Sequence, residues 1–395
     1  MACLLKAPDG PLKGCVSFTT QERDNLINGS TGLRAAIQAL KRRFVIGLHH
    51  NWHDHRFQYD PLFDFSMAGD GDLVEAEGRD FARIPIDACN FAPPCYSLPR
   101  SEPFWDILYV ARAVAFKGIP EFFGGIRALY DAGHRPRVLF ICPLPCPVEI
   151  PGIPDLRKHF EQMFSLEERH RITFLSIDWD YPFPLDAQSL AFFYRNSRIF
   201  FHPAPEERRC RTAAYAWAGR MPVASTKNVA SILPRSLHRA PFLFAFDSSL
   251  SMTPALAAAL ESNGKSDPAW EDVSAEFSAQ ASAKRMTALL EQLAGQYGWG
   301  SLSNAPINPS HLDIRLGRHH GISSGANRVD QSLSQLCHAL ASLSDGALRS
   351  ICDSEDPELA LRQSCPPEAS EETKPPAPAD APITRALKKI GLFRA

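Results

Sequence analysis

The stretch Phe104-Trp-Asp-Ile-Leu-Tyr-Val-Ala-Arg112-Ala-Val-Ala-Phe-Lys117-Gly118 decides the fold of this chain. Its apolar run at 106–110 predicts a buried β-strand. Two cations, Arg112 and Lys117, follow that strand, and a glycine precedes a helix predicted to begin near Ile119. Cations between a strand end and a helix N-terminus are typical of an anion-binding site. A solvated charged loop is the alternative interpretation.

Downstream of this stretch, strand patterns and helix patterns alternate. The predicted strands are 137–141, 172–177, 198–202 and 222–224, and the predicted helices are 119–131, 155–164, 186–195 and 210–218. This alternation predicts right-handed βαβ units on a parallel sheet, in which ligands bind outside the carboxyl ends of the strands. Arg112, Lys117 and Glu207 are all expected at that edge of the sheet.

The flanking parts of the chain are less regular. Upstream, the patterns predict a strand at 14–18, a helix at 33–43 and a strand at 44–48, followed by an acidic loop at 60–80. Downstream, further helices are predicted at 253–262, 271–295 and 329–350, with a loop-rich segment at 296–330. The first hundred residues are short for a complete α/β domain with both sheet faces covered.

The composition is that of an ordinary globular protein of more than one domain. The chain has 395 residues, of which 45% are hydrophobic, and a formal net charge of −2, so no nucleic-acid partner is expected. Its ten cysteines form no CxxC pair, and neither a secretory signal nor a membrane-spanning apolar run is recognisable. We therefore expect a cytoplasmic protein with free thiols.

The C-terminal end has a composition of its own. Residues 362–382 are rich in Pro, Glu and Ala and predict a disordered linker. Residues 383–393 predict a short basic amphipathic helix. A frayed tail helix is one interpretation, and weak peripheral contact with a membrane surface or a partner is the other.

Two histidine-containing loops are further candidates. The first holds His49, His50 and His53 after a predicted strand, where imidazoles facing a cleft bind hydroxyl groups of a ligand. A plain surface loop is the alternative, and no metal site is expected, because metal sites need fixed geometry and usually a second class of ligand. The second holds Arg318 and His319 between two glycines and is either a cleft loop or a turn.

Residues 104–228 resemble the nucleotide-sugar domain of GT-B-fold retaining glycosyltransferases of the group called family 4. Arg112, four residues and Lys117 match that family's Arg-x4-Lys after its strand, and Arg137 onward is similar to its second strand. The segment 190–203 resembles the helix and strand before its donor site. Glu207 to Ser225, with Met221-Pro-Val, resembles its Glu-x7-Glu segment and the Gly-x-Pro-Val-type strand after it.

The resemblance implies an α/β fold with two Rossmann-like domains facing a cleft, the N-terminal one short or atypical, and a C-terminal helical extension. The implied acceptor-side domain is 1–100, and the nucleotide-sugar domain is 101–300. Residues 301–361 are expected to form a helical extension that packs back on the N-terminal domain. Residues 362–395 are expected to hold the linker and the basic helix.

The resemblance also implies an activity. A metal-independent hexosyltransferase-type enzyme of glycan or polysaccharide synthesis would transfer a sugar, with retention, from a nucleotide diphosphate sugar to an acceptor hydroxyl. The implied acceptor is a glycan, a lipid-linked molecule or a small molecule, and the nucleotide sugar is a co-substrate, with no other cofactor. Arg112 and Lys117 would bind the donor diphosphate, and Glu207 would hold sugar hydroxyls.

The chain departs from the family pattern opposite these cations. Tyr215 stands in place of the second glutamate, as a ribose contact or a packing residue, and Arg208-Arg209-Cys210 stand in place of glycines. The two arginines either contact phosphates or mark a donor site that has been lost. The alternative function is therefore a catalytically degenerate GT-B protein that binds a nucleotide sugar or a protein partner. An epimerase of the same fold is a third alternative.

Overall fold

A computed structural model shows two β-sheets in the described part of the protein, each flanked by helices. The described residues are 2–19, 31–49, 60–67, 81–86, 88–143, 150–177, 185–207, 209–233, 237–262, 267–308, 316 and 326–364. Within these ranges the strands form a first sheet of five strands and a second sheet of six. The predicted fold class, α/β with two Rossmann-like sheets, is confirmed.

The first sheet has the strand order β1-β2-β3-β4-β5, with β1 antiparallel to β2 and the others parallel. Its strands are β1 Ala2–Lys6, β2 Gly14–Thr19, β3 Phe44–His49, β4 Phe65–Met67 and β5 Ala82–Ile84. The predicted acidic loop at 60–80 is wrong where β4 lies. That strand is three buried residues long, so its sequence is too short to show a period. The sequence patterns also did not predict β1.

The second sheet is entirely parallel, with the order β11-β10-β9-β6-β7-β8. Its strands are β6 Trp105–Val110, β7 Val138–Pro143, β8 Ile172–Ile177, β9 Ser197–His202, β10 Val223–Thr226 and β11 Leu243–Phe246. Successive side chains of a strand point to opposite faces. In β6, Ile107 and Tyr109 therefore enter one core, and Leu108 and Val110 enter the other.

Helices cover both faces of each sheet. They are α1 Thr31–Leu40, α2 Ile119–Asp131, α3 Leu156–Met163, α4 Leu166–Arg169, α5 Ala187–Arg195, α6 Arg211–Ala218, α7 Lys227–Ala230, α8 Ser249–Glu261, α9 Ala269–Phe277, α10 Ala279–Tyr297, α11 Ala326–Ser342, α12 Asp345–Asp353 and α13 Pro357–Ser364. On the second sheet, α2 and α8 pack on one face, and α5, α6 and α9 on the other.

The last helices pack on the first sheet. Leu336 and Leu340 of α11 and Ile351 of α12 share a core with the strands β1 to β3 and with α1, and α10 covers the other face of that sheet. Helices from the end of the chain therefore cover one face of the sheet that its first residues form.

Two predicted helices are divided in the structure. The prediction of one helix at 271–295 is wrong because Ser278 ends α9 and caps α10 by accepting a hydrogen bond from Ala281 N. The prediction of one helix at 329–350 is wrong for the same reason, since Ser344 caps α12. The segment 296–330, predicted to be loop, includes the start of α11, and the linker predicted from 362 begins inside α13. Residues 365–395 lie outside the described ranges.

Within the described ranges, no helix combines the length and hydropathy that a membrane span needs. The eight cysteines in these ranges are all buried.

Candidate functional site

The loops that follow β6 and β9 meet at the carboxyl edge of the second sheet. These strands are neighbours, with Ile107 opposite Ile199 and Leu108 opposite Phe200. Arg112 lies two residues beyond the end of β6 and is exposed, and Lys117 closes the helical turn that precedes α2. Glu207 lies in the loop between β9 and α6 and is 3% exposed. Strand pairing thus brings together residues 90 positions apart in the sequence.

A buried network of three charged groups lies at this edge. The Lys117 ammonium pairs with Oε1 of Glu207, and His202 Nε2 donates a hydrogen bond of 2.7 Å to Oε2 of the same carboxylate. The His202 side chain is fully buried, whereas that of Lys117 is 18% exposed. The Tyr109 hydroxyl donates to the Lys117 carbonyl and fixes the backbone of the turn. Both oxygens of Glu207 are therefore occupied.

Backbone contacts hold the two loops against each other. Gly118 has φ +74°, and a Cβ at this position would lie 2.9 Å from the carbonyl oxygen of Pro203. The Thr226 hydroxyl donates to the Ala204 carbonyl at 2.6 Å, and the Asn228 amide donates to that of Pro205. Close approach at Gly118 is what lets Lys117 reach Glu207.

Gly118→Ala is expected to destabilise the protein more than Gly133→Ala. Both glycines have positive φ, +74° and +89°, so both substitutions incur backbone strain of about 1–2 kcal/mol. Only at position 118 does the new methyl group also meet backbone atoms, which adds about 1–3 kcal/mol. Urea unfolding measures both variants. Equal losses would show that the approach of the two loops at Gly118 is not tight.

The network shifts the pKa values of its members in opposite directions. Burial on its own raises the pKa of Glu207, but attraction and hydrogen bonds from His202 and Lys117 outweigh it and hold this pKa well below its ordinary value. Burial on its own lowers the pKa of His202, but Coulombic interaction with Cys210 and Glu207 and the hydrogen bond to Glu207 raise it to about 9. Near neutral pH the network therefore has two positive groups and one negative group. Arg112 adds another positive charge at the same edge.

The raised pKa of His202 predicts a loss of stability at alkaline pH. A group whose folded pKa is raised stabilises the protein fully below its unfolded pKa of about 6.5, and that contribution disappears as the pH rises through about 9. The contribution of Glu207, whose pKa is lowered, disappears only below about pH 4.5. Between pH 6.5 and 9 we expect the free energy of unfolding to fall by on the order of 3 kcal/mol.

Urea unfolding across this pH range measures that loss. The His202→Gln variant should show a much shallower slope, and the exposed His134→Gln variant should keep the slope of the parent protein. A parent protein equally stable at pH 6.5 and pH 9 would contradict a charged His202.

Cys210 adjoins the network from the start of α6. Its thiol caps the helix, accepting from Ala213 N at 3.4 Å, and lies 3.0 Å from the Thr212 hydroxyl. His202, Glu207 and Cys210 each place one possible ligand atom within 4.8 Å of the other two. Zinc binds nitrogen, oxygen and sulfur ligands of these types. The Lys117 ammonium on Glu207 opposes a divalent cation there. We therefore interpret the group as a charge network.

The other predicted site residues are distributed as follows. Tyr215 is 8% exposed and stacks on Tyr96 with ring centroids 4.3 Å apart, which favours its packing interpretation. Arg209 is half-buried just before α6, and His49 is 7% exposed at the end of β3. The remaining predicted residues lie outside the described ranges: Arg208, His50, His53, Arg318 and His319.

His202 is the member of the network that the sequence patterns do not reveal. It is the last residue after an apolar run, and a polar residue at the end of a strand is too common to indicate a function. Only its position could have indicated its role, because it lies at the carboxyl end of the strand that leads to Glu207.

Comparison with known proteins yields neither a matching family model nor a matching curated protein. Among solved structures, the chain is similar to α,α-trehalose 6-phosphate synthase from Burkholderia multivorans, with 15% identity over 67% of this chain and 70% of that one, and a TM-score of 0.44. It is also similar to sucrose-phosphate synthase from Thermosynechococcus elongatus, with 17% identity over 64% and 69% and a TM-score of 0.42.

A third similar structure is the C-terminal domain of a glycosyl transferase group 1 family protein from Francisella tularensis. The identity is 17%, over 51% of this chain and 97% of that one, with a TM-score of 0.29. At these identities the similarity concerns the fold alone.

Proposed function

We propose that the protein is a glycosyltransferase that binds the diphosphate of a nucleotide sugar at the carboxyl edge of the second sheet. The observation that carries the proposal is the pairing of Lys117 with Glu207 beside the exposed Arg112. This edge is where open parallel sheets bind ligands, and the exposed guanidinium of Arg112 lies there. The order of residues at this edge is also that of the retaining GT-B pattern.

In the proposed reaction, the cations act on the leaving group. Arg112 offers a guanidinium to the phosphates, and Lys117 turns its ammonium from Glu207 to the same group. Both stabilise the negative charge that grows on the diphosphate as the bond to the sugar breaks. Release of Lys117 leaves Oε1 of Glu207 able to accept a hydrogen bond from a sugar hydroxyl, while His202 keeps Oε2 in place. The proposal requires neither a protein nucleophile nor a metal.

A second candidate function is binding of a nucleotide sugar or a protein partner without turnover. One observation favours it: the Glu207 carboxylate is nearly inaccessible, and each of its oxygens already has a partner in the donor-free protein. The side chain of Tyr215, which stands in place of the family's second glutamate, lies in the aromatic core.

A nucleotide screen tests both candidates. UDP, GDP and ADP, and then their sugar conjugates, are added to the full chain, and the shift in melting temperature is measured. Stabilisation by one nucleotide together with release of that nucleotide from its sugar conjugate supports the transferase. Stabilisation with no release, by the parent protein and by Arg112→Ala alike, supports the binding protein. No stabilisation by any nucleotide would contradict a nucleotide-sugar site.

A further inference from the structure

A groove of about 630 Å³ lies at the opposite, amino-terminal edge of the second sheet. The segment 97–103, the beginnings of β9 and β10 and the end of α8 form its walls. A six-residue strand spans roughly 20 Å, so the groove is distinct from the site at the carboxyl edge. Three arginines line it, together with a single carboxylate: Arg100, Arg198, Arg220 and Glu102.

Arg100 fixes the shape of the groove. Its guanidinium donates to the carbonyl of Arg220 at 3.2 Å, to that of Arg198 at 2.9 Å and to that of Ser197. Burial lowers its pKa to about 10, which still leaves it charged near neutral pH. The buried guanidinium of Arg100 therefore holds the backbone of Arg198 and Arg220 in place by hydrogen bonds.

Arg198 and Arg220 provide the accessible charges. Their side chains are 44% and 49% exposed. Arg198 lies 3.5 Å from Asp106, a carboxylate shared with Arg137, and Arg220 pairs with Glu271, which is 73% exposed. The Arg220–Glu271 pair is exposed on both sides and therefore weak, so an incoming anion competes with it readily.

The remaining lining suits a small polar ligand. Ser97, Ser101 and Ser262 contribute hydroxyl groups, and no aromatic side chain is among the lining residues, so nothing there stacks on a base. Arg220 is also the one non-glycine residue with positive φ, +53°, within the described ranges. Such backbone strain tends to occur at functional sites.

We propose that this groove binds a small ligand through its phosphate group. Its volume is that of a small-molecule site, and guanidinium groups match phosphate oxygens in a bidentate geometry. Arg198 and Arg220 contact the phosphate, and Arg100 holds them in position. The phosphate belongs either to a soluble metabolite or to a lipid headgroup, and the two sources are distinguished by the experiments that follow.

Calorimetry with inorganic pyrophosphate tests the groove in the full chain. The protein carries Arg112→Ala, which weakens anion binding at the carboxyl-edge site. Arg198→Gln and Arg220→Gly are each expected to weaken binding by about tenfold. Glycine adopts the positive φ of position 220 without strain, so Arg220→Gly should keep the fold. Arg239→Gln, an exposed arginine elsewhere, is the matched control and should bind as the parent does.

Co-sedimentation with vesicles of equimolar phosphatidylcholine and phosphatidylglycerol distinguishes the two sources. Binding of pyrophosphate but not of vesicles is the expected result. Vesicle binding that requires Arg198 and Arg220 would identify the phosphate as that of a headgroup. The proposal is overturned if neither probe binds, or if Arg239→Gln weakens binding as much as the groove variants do.

Discussion

Replacing Arg112 by alanine is expected to weaken the binding of nucleoside diphosphate by about two orders of magnitude. A hydrogen bond to a charged group contributes about 1.5–3 kcal/mol, and a guanidinium on a diphosphate makes two. At about 1.4 kcal/mol for each tenfold change, their loss gives roughly a hundredfold or more. Transfer activity should fall at least as far, because the same charge stabilises the leaving group.

The same substitution should leave stability unchanged. Arg112 is exposed, and its side chain makes neither a hydrogen bond nor an ion pair with any residue in the described ranges. Arg239→Ala is the matched control, because it removes another exposed arginine that lies outside the proposed site. Calorimetric titration with the nucleoside diphosphate compares the affinities of the parent, Arg112→Ala and Arg239→Ala. Equal affinities of the parent and of Arg112→Ala for the nucleoside diphosphate would show that Arg112 does not contact it.

Glu207→Gln is expected to destabilise the fold by about 3 kcal/mol, because it leaves the buried His202 and the partly buried Lys117 without their anion. The neighbouring Glu206 is exposed, so Glu206→Gln controls for the change of charge and should cost less than about 0.5 kcal/mol. Urea unfolding at pH 7 measures both variants. Similar losses for the two would show that the network contributes little to the folded state.

A double-mutant cycle separates the ion pair from the packing around it. Lys117→Met alone leaves Glu207 with His202, and the double variant Lys117→Met/Glu207→Gln removes both partners of the pair. We expect the double variant to lose about 1–3 kcal/mol less than the sum of the single losses. Additive losses would contradict a direct interaction between Lys117 and Glu207.

Much of the second sheet could be predicted from the sequence. Buried parallel strands appear as continuous apolar runs, so β6 and β7 were recognisable, and the pattern Phe122, Phe123, Ile126 and Leu129 marked the face of α2. Because ligand sites lie beyond the carboxyl ends of such strands, the edge that holds Lys117 and Glu207 could also be predicted. Their direct pairing could not, since it depends on which strands are neighbours.

Tertiary contacts account for what the sequence did not show. The role of His202 depends on its burial beside Glu207, and the position of Tyr215 depends on Tyr96, more than a hundred residues earlier. The cover of the first sheet comes from α11 and α12, which lie some 300 residues from the strands they cover. Local periodicity contains no information on contacts of this range.

A crystal structure of the full chain with the nucleoside diphosphate that stabilises it most tests the proposed donor site. We expect the phosphates to lie within hydrogen-bonding distance of Arg112 and Lys117, with the Lys117 ammonium turned away from Oε1 of Glu207. A nucleotide bound elsewhere, with the Lys117–Glu207 ion pair intact and Arg112 still in solvent, would contradict it.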